Sequence, residues 1–229
     1  MNIIEVRNLC YAYEDDAPAL DNVSLNIAAG KTTAVLGGNG AGKSTLFLNL
    51  NGVLTPKSGK VFFEGTEVRY SKKELPELRR KIGIVFQDPD DQLFSASVTK
   101  DISFGLMKFG LTREEIQERV DRVVRQTGIE HIVGKPTHAL SFGQKKRVAI
   151  AGILVMQPSV IILDEPTAGL DPQGVSEILH LLRDIKETTG ITVIISTHDI
   201  DLVPLYCDDV IVLDKGRVIF SGTPEQLFA

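Results

Sequence analysis

Gly37-Gly38-Asn39-Gly40-Ala41-Gly42-Lys43-Ser44 fits the pattern G-x-x-x-x-G-K-[ST], a loop that cradles phosphate. Val35 and Leu36 before it read as the end of a buried strand. Thr45 to Leu50 after it continue as a helix. Glycines at these spacings let successive backbone N–H groups turn inward around phosphate oxygens with no side chain in the way. The start of the helix adds a partial positive charge at the same point. The expected nucleotide contacts therefore run from Gly37 through Thr45. Lys43 would reach the β- and γ-phosphates, and Ser44 would ligate Mg²⁺.

On either side of the loop the chain alternates between strands and helices. Residues 3–6, 23–27, 32–36 and 60–63 read as short strands, with turns at Ala28-Ala29-Gly30 and Pro56-Lys57-Ser58-Gly59. The character changes over 88–150. There Thr112 can N-cap a helix, Glu115 is placed for a capping box, and Gly128 suits the end. Strand 160–163, helix 175–186 and strands 192–196 and 210–214 follow. Nearly continuous apolar strands fit a parallel sheet covered on both faces. The expectation is one α/β unit over 1–229. Residues 1–87 and 151–229 form a phosphate-loop core with a mainly parallel sheet and an N-terminal antiparallel β subdomain. Residues 88–150 form an inserted α-helical subdomain.

A phosphate loop does not say what the nucleotide is for. Leu140-Ser141-Phe142-Gly143-Gln144 narrows it, followed by Val160-Ile161-Ile162-Leu163-Asp164-Glu165, then Ala168-Gly169-Leu170-Asp171, then His198. In this order the motifs resemble those of the ATP-binding-cassette (ABC) ATPases, over nearly the whole chain. The resemblance implies a RecA-like P-loop NTPase fold and ATP hydrolysis with Mg²⁺.

It also implies roles for particular residues. Asp164, held rigidly at the end of a buried strand, becomes the acid on the Mg²⁺ side. Glu165 becomes the general base for the attacking water. Gln87, closing the strand Ile82-Gly83-Ile84-Val85-Phe86, is similar to the glutamine that ligates Mg²⁺ and couples the γ-phosphate to the helical insert. His198 resembles the switch histidine, and Asp171 belongs to the D-loop. Ser141, Phe142, Gly143 and Gln144 start a helix that, in the family, caps the γ-phosphate of a second subunit in a head-to-tail dimer. Phe142 stands where Gly is commoner. Tyr13 aligns best with the aromatic that stacks on adenine, with Tyr11 second. His131, His138 and His180 match no motif.

Phe86-Gln87-Asp88-Pro89-Asp90-Asp91-Gln92-Leu93-Phe94 resembles the energy-coupling-factor branch, which drives cobalt, nickel and vitamin uptake. That branch implies a transmembrane coupling subunit, a small substrate-capturing membrane protein and a second ATPase, a copy or a paralogue. The chain would then lie peripherally on the cytoplasmic face of the membrane. Another ABC importer class remains the competing reading. Because the sequence stops at Ala229, a C-terminal dimer-stabilising extension is expected to be absent or removed.

Composition, 43% hydrophobic and 24% charged, is ordinary for a soluble globular protein. Net charge is −5, which argues against a general nucleic-acid-binding surface. Lys145-Lys146-Arg147 is a local basic triplet, expected as a solvated helix face. Cys10 and Cys207 lie far apart without metal spacing, which fits a reducing compartment. The start lacks the features of a secretory signal. The run from Val148 to Met156 is shorter than the about 20 residues a bilayer span requires.

Overall fold

The computed structural model describes residues 1–14 and 17–229. The chain runs β1 (Asn2–Tyr11), β2 (Leu20–Ala28), β3 (Thr32–Leu36), α1 (Lys43–Leu50), β4 (Ser58–Phe63), β5 (Thr66–Glu67), α2 (Leu75–Lys81) and β6 (Ile82–Val85). Three helices follow: α3 (Val98–Phe104), α4 (Arg113–Thr127) and α5 (Phe142–Leu154). Then come β7 (Val160–Leu163), α6 (Pro172–Thr189), β8 (Thr192–Thr197), α7 (Val203–Tyr206), β9 (Asp209–Asp214), β10 (Arg217–Gly222) and α8 (Pro224–Phe228).

Two sheets form. One is antiparallel, in the order β2-β1-β4-β5. The other has the order β10-β9-β3-β8-β7-β6 and is parallel from β9 to β6. Alternation along the parallel strands divides the interior in two. Val35, Ile162, Ile194 and Ile211 face β1, β2, β4 and α1, where Leu46 and Phe47 are buried. Ala34, Leu36, Ile161, Leu163 and Ile195 face the other way, against α3 to α6. Each fully buried Leu, Ile or Phe contributes about 1.5–3 kcal/mol of transfer free energy, so both sides anchor the central strands.

Helix limits follow the capping chemistry. Thr112 and Glu115 form the reciprocal capping box of α4, and Gly128 closes it at φ +65°. Ser141 and Gln144 form a second box at the start of α5. Asp171 caps α6, its carboxylate accepting from the Gly174 N–H at 2.8 Å. Several elements escape a periodicity reading. In α2 only Leu78 is buried, so no apolar stripe marks it. In β10 exposed and half-buried residues alternate at a sheet edge. The strand expected at 3–6 extends to ten residues, with a register shift near Asn8, whose φ is +50°.

The sheet order positions the site. Neighbouring strands β6, β7, β8 and β3 end in Gln87, Asp164-Glu165, His198 and the phosphate loop. Parallel strands lie about 4.8 Å apart and present their carboxyl ends on one edge, where ligands of α/β sheets bind. Two loop glycines cannot be replaced there. A Cβ on Gly37 would lie 2.5 Å from the Leu213 carbonyl oxygen. One on Gly42, at φ +105°, would lie 2.5 Å from that of Ala19. Gly38 and Gly40 have open space where a Cβ would lie, and the φ of +77° at Gly40 favours glycine.

Candidate active site

Glu165 is where the separate motifs meet. Its carboxylate lies 3.8 Å from Lys43 Nζ, 3.3 Å from Gln87 Nε2 and 3.5 Å from His198 Nδ1. The Glu165 and Lys43 side chains are almost buried, whereas His198 is 71% exposed, so the group opens to solvent on the histidine side. Lys43 also donates to the carbonyls of Gly37 at 2.8 Å and Gly38 at 3.1 Å, folding its ammonium over the phosphate loop.

The backbone of Glu165 has φ +44°, a conformation uncommon for a residue with a long side chain. Specific bonds hold it. Its N–H donates to Ser196 Oγ at 2.7 Å, and that hydroxyl donates onward to Asp164 Oδ1 at 2.5 Å. Its carbonyl accepts from the Ala168 N–H at 3.1 Å and from Lys146 Nζ at 3.2 Å. Ser196 is fully buried at the end of β8. Sequence reading gave it no role, because a serine at a strand end carries no motif. Ser196→Ala leaves a buried N–H unpaired, at a cost of about 1–3 kcal/mol. At about 2–4 °C per kcal/mol for a chain of this size, a thermal melt should show a drop of several degrees. ATP turnover should fall further than ATP affinity, because the serine holds the Glu165 backbone directly and reaches the phosphate loop only through Asp164 and Ser44.

On the other side of Asp164, Oδ2 accepts from Ser44 Oγ at 2.5 Å. Ser44, Asp164 and the amide oxygen of Gln87 are hard oxygen donors, the chemistry that suits Mg²⁺. Among the described residues no group of three or more His, Cys, Asp or Glu could hold a metal. Mg²⁺ held by Ser44, Asp164 and Gln87 would need phosphate oxygens as further ligands, as is usual for this ion in nucleotide sites. The residues fit such an ion.

Tyr13 sits beside the start of α1, its hydroxyl 3.2 Å from Thr45 Oγ1 and its ring edge-on to Tyr11 at 5.0 Å. It is 43% exposed, which leaves ring surface for a planar ligand. Of the signature residues, Phe142 lines a cleft with Gln87 and Asp164, and the other three lie elsewhere. Ser141, Gly143 and Gln144 line a cleft with Leu170, Gly174 and Glu177. Gly37 and Gly38 of the phosphate loop line a different one with Thr197, His198 and Ile200.

The basic triplet is not a solvated face. Lys146 is 1% exposed and donates to the carbonyls of Gln87 at 2.9 Å and Glu165 at 3.2 Å. Burial pulls its pKa down to about 8, against the opposing pull of Asp88, Glu165 and Asp164. Lys145 pairs with Asp90 at 2.6 Å. Arg147 donates to the Thr127 carbonyl and pairs with Glu177, both at 3.0 Å. A three-residue charge run cannot reveal this, because consecutive helical residues point in different directions and these three reach three different neighbours.

The model of the ABC transporter family matches residues 20–168. The chain belongs to the ABC transporter ATPases. Within them it falls in the energy-coupling-factor branch. It is 59% identical over 227 residues to the energy-coupling factor transporter ATP-binding protein EcfA2 of Clostridium perfringens, covering 99% of this chain and 80% of that one. It is 49% identical to EcfA of Methanocaldococcus jannaschii, covering 100% of this chain and 82% of the relative. Among solved structures, cbiO1 from Clostridium perfringens, part of the ABC transporter complex cbiONQ, superposes with a TM-score of 0.93 at 58% identity. That match covers 99% of this chain and 90% of cbiO1. A dimeric ATP-binding cassette in a post-hydrolysis state with ADP and Pi superposes with a TM-score of 0.86 at 29% identity, covering 96% of this chain and 98% of that one. The expected P-loop architecture and ABC ATPase activity stand. Among the described residues no helix is long and apolar enough to cross a membrane.

Proposed function

We propose that this ATPase powers a membrane importer of the energy-coupling-factor type, with cobalt, nickel or a vitamin as cargo. The observation that carries the chemistry is the convergence of Lys43, Gln87 and His198 on the Glu165 carboxylate. Glu165 takes the proton of the attacking water, and His198 and Gln87 orient that water and the γ-phosphate. Lys43 and the N–H groups of the loop from Gly37 to Thr45 hold the phosphates, and Tyr13 stacks on the base. Ser44, Asp164 and Gln87 would hold Mg²⁺, which would supply charge neutralisation for the phosphate oxygens. Ser141, Phe142, Gly143 and Gln144 act on the nucleotide of a second ATPase subunit, and Asp171 lies at that interface. Residues 88–150 act as the helical subdomain and the remainder as the core.

An exposed apolar patch supports a membrane-embedded partner. Phe94 is 65% exposed, Phe104 50% and Met107 72%, with the two phenylalanine rings edge-to-face at 4.6 Å. The segment carrying Phe94 is held in place. Buried Asp101 accepts from the N–H groups of Phe94 at 3.4 Å and Ser95 at 2.9 Å, and Thr137 donates to the Ser95 carbonyl at 2.6 Å. A fixed cluster of large apolar side chains on a surface marks a contact site. It lies on the helical insert and the segment after Gln87, where the branch takes its coupling helices. The partners are a transmembrane coupling subunit and a substrate-capturing membrane protein, which puts the chain on the cytoplasmic face.

The test is recovery of tagged full-length protein from detergent-solubilised native membranes. A coupling-type membrane protein together with a small substrate-capturing one is expected. Recovery of another permease would move the chain to a different importer, and soluble or DNA-associated partners alone would overturn the transport reading. The double variant Phe94→Asp, Met107→Asp should lose those membrane partners. ATP turnover of the isolated protein should stay within about twofold, because Phe94 and Met107 are exposed and line neither the cleft of Gln87 and Asp164 nor that of Gly37 and His198.

A further inference from the structure

We propose that Lys146 is a positioning residue that ties the placement of the signature helix to the catalytic geometry of Glu165 and Gln87. Helix α5 begins at the signature, with Ser141 as its cap, and Lys146 projects from its second turn. Its ammonium ends against two main-chain carbonyls on two other segments: Gln87, just past β6, and Glu165, just past β7. A rigid shift of α5 relative to the sheet therefore pulls on both loops at once. The Glu165 end is the sensitive one. That residue holds φ +44°, and its peptide is fixed by Ser196 at the N–H and, in part, by Lys146 at the carbonyl. Loosening either bond lets the backbone relax and moves the carboxylate.

Three further facts argue that the ammonium is placed for this task. A charged group this buried is costly unless it is satisfied, and it has no carboxylate partner within ion-pair distance among the described residues. It meets the demand with the two carbonyls of the loops that carry chemistry. The Phe142 ring lies 5.3 Å from Nζ and shields it on the signature side. Phe142 also packs where a Cβ on Gly169 would touch its ring at 3.0 Å, so the cover reaches the loop between Glu165 and Asp171. A residue at the signature position where Gly is commoner thereby acquires a local purpose. Neighbouring Lys145, paired with Asp90, ties the same helix to the segment after Gln87 and limits independent motion of the two.

This inference rests on the reading of Glu165 as general base, and the experiment separates the two. On full-length protein, steady-state ATP turnover and equilibrium ATP affinity are measured for wild type, Lys146→Met, Lys146→Gln and Glu165→Gln. Lys146→Met should lower kcat at least about tenfold while ATP affinity stays within about twofold, the signature of an interaction realised in the transition state. Lys146→Gln, which retains an amide donor without the charge, should recover part of the loss. In the Glu165→Gln background Lys146→Met should lower the single-turnover rate by less than about twofold, since residues acting as a unit are non-additive. Wild-type kcat in Lys146→Met overturns the proposal. So does a parallel fall in affinity and kcat, or full multiplicative loss in the double variant. If Lys146→Met does not fold, Lys146→Gln carries the same readings. Full turnover by Glu165→Gln would instead remove the general-base reading itself.

Discussion

Glu165→Gln should lower ATP turnover by about 10²–10⁴-fold, the range for a lost general base, while leaving ATP binding nearly intact. The amide matches the carboxylate in shape and can keep the backbone at φ +44°, since the bonds that hold it there involve the Glu165 N–H and carbonyl and not its side chain. What disappears is the proton acceptor. The phosphate loop keeps its lysine bonds to the Gly37 and Gly38 carbonyls, so the site can still receive phosphate. Phosphate release and equilibrium nucleotide binding, measured on the same preparation, check the two halves separately. A variant that turns over at the wild-type rate removes Glu165 from the role. A variant that loses ATP affinity as steeply as turnover means that the carboxylate serves the resting site instead. If ATP joins two subunits head to tail and hydrolysis releases them, the same variant should also accumulate as an ATP-bound dimer.

Much of this site was legible because its parts are carried by short motifs at strand ends. Gly37 to Ser44, Asp164-Glu165 and His198 each follow an apolar run that reads as a buried strand, so residue and placement come together. The order of the strands came only with the structure, because no local pattern encodes it. Ser196 and Lys146 were missed for a physical reason. Each acts through the backbone of another residue, and a bond to a carbonyl or an N–H leaves no constraint on the partner's identity for a sequence to reveal. Lys146 was misread outright, because a lysine between two charged neighbours on a helix looks solvated until the direction of each side chain is known. Among the larger elements, α2 and β10 failed to register since neither buries a continuous face. The capping box at Thr112 is legible in the sequence, because its chemistry is complete within four residues.

The second large effect follows from the proposed pairing with another subunit. Lys43→Ala and Ser141→Arg should each abolish turnover alone, and an equimolar mixture of the two should recover it in part. Within one chain Ser141, Gly143 and Gln144 line one cleft, and Gly37 and Gly38 of the phosphate loop line another. A head-to-tail pair brings the loop of each subunit to the signature of the other, and the symmetry of such a pair makes both sites alike. In a mixed dimer one site joins the intact loop of the Ser141→Arg chain to the intact signature of the Lys43→Ala chain, and the second site carries both defects. Random pairing makes half the dimers mixed, with one working site of two, so recovery of about a quarter of wild-type activity is expected if sites act independently. Arg at position 141 blocks closure by bulk at the start of α5, where the serine hydroxyl now accepts from the Gln144 N–H at 3.3 Å. Its own fold should survive, since an N-cap loss costs about 0.5–2 kcal/mol and position 141 is exposed. Mixing before adding ATP, at protein concentrations above that needed for ATP-driven pairing, makes the measurement decisive. Recovery from two inactive proteins requires that each lend the other a part. Absence of recovery, with both variants folded and able to pair, would mean that each chain completes its own site.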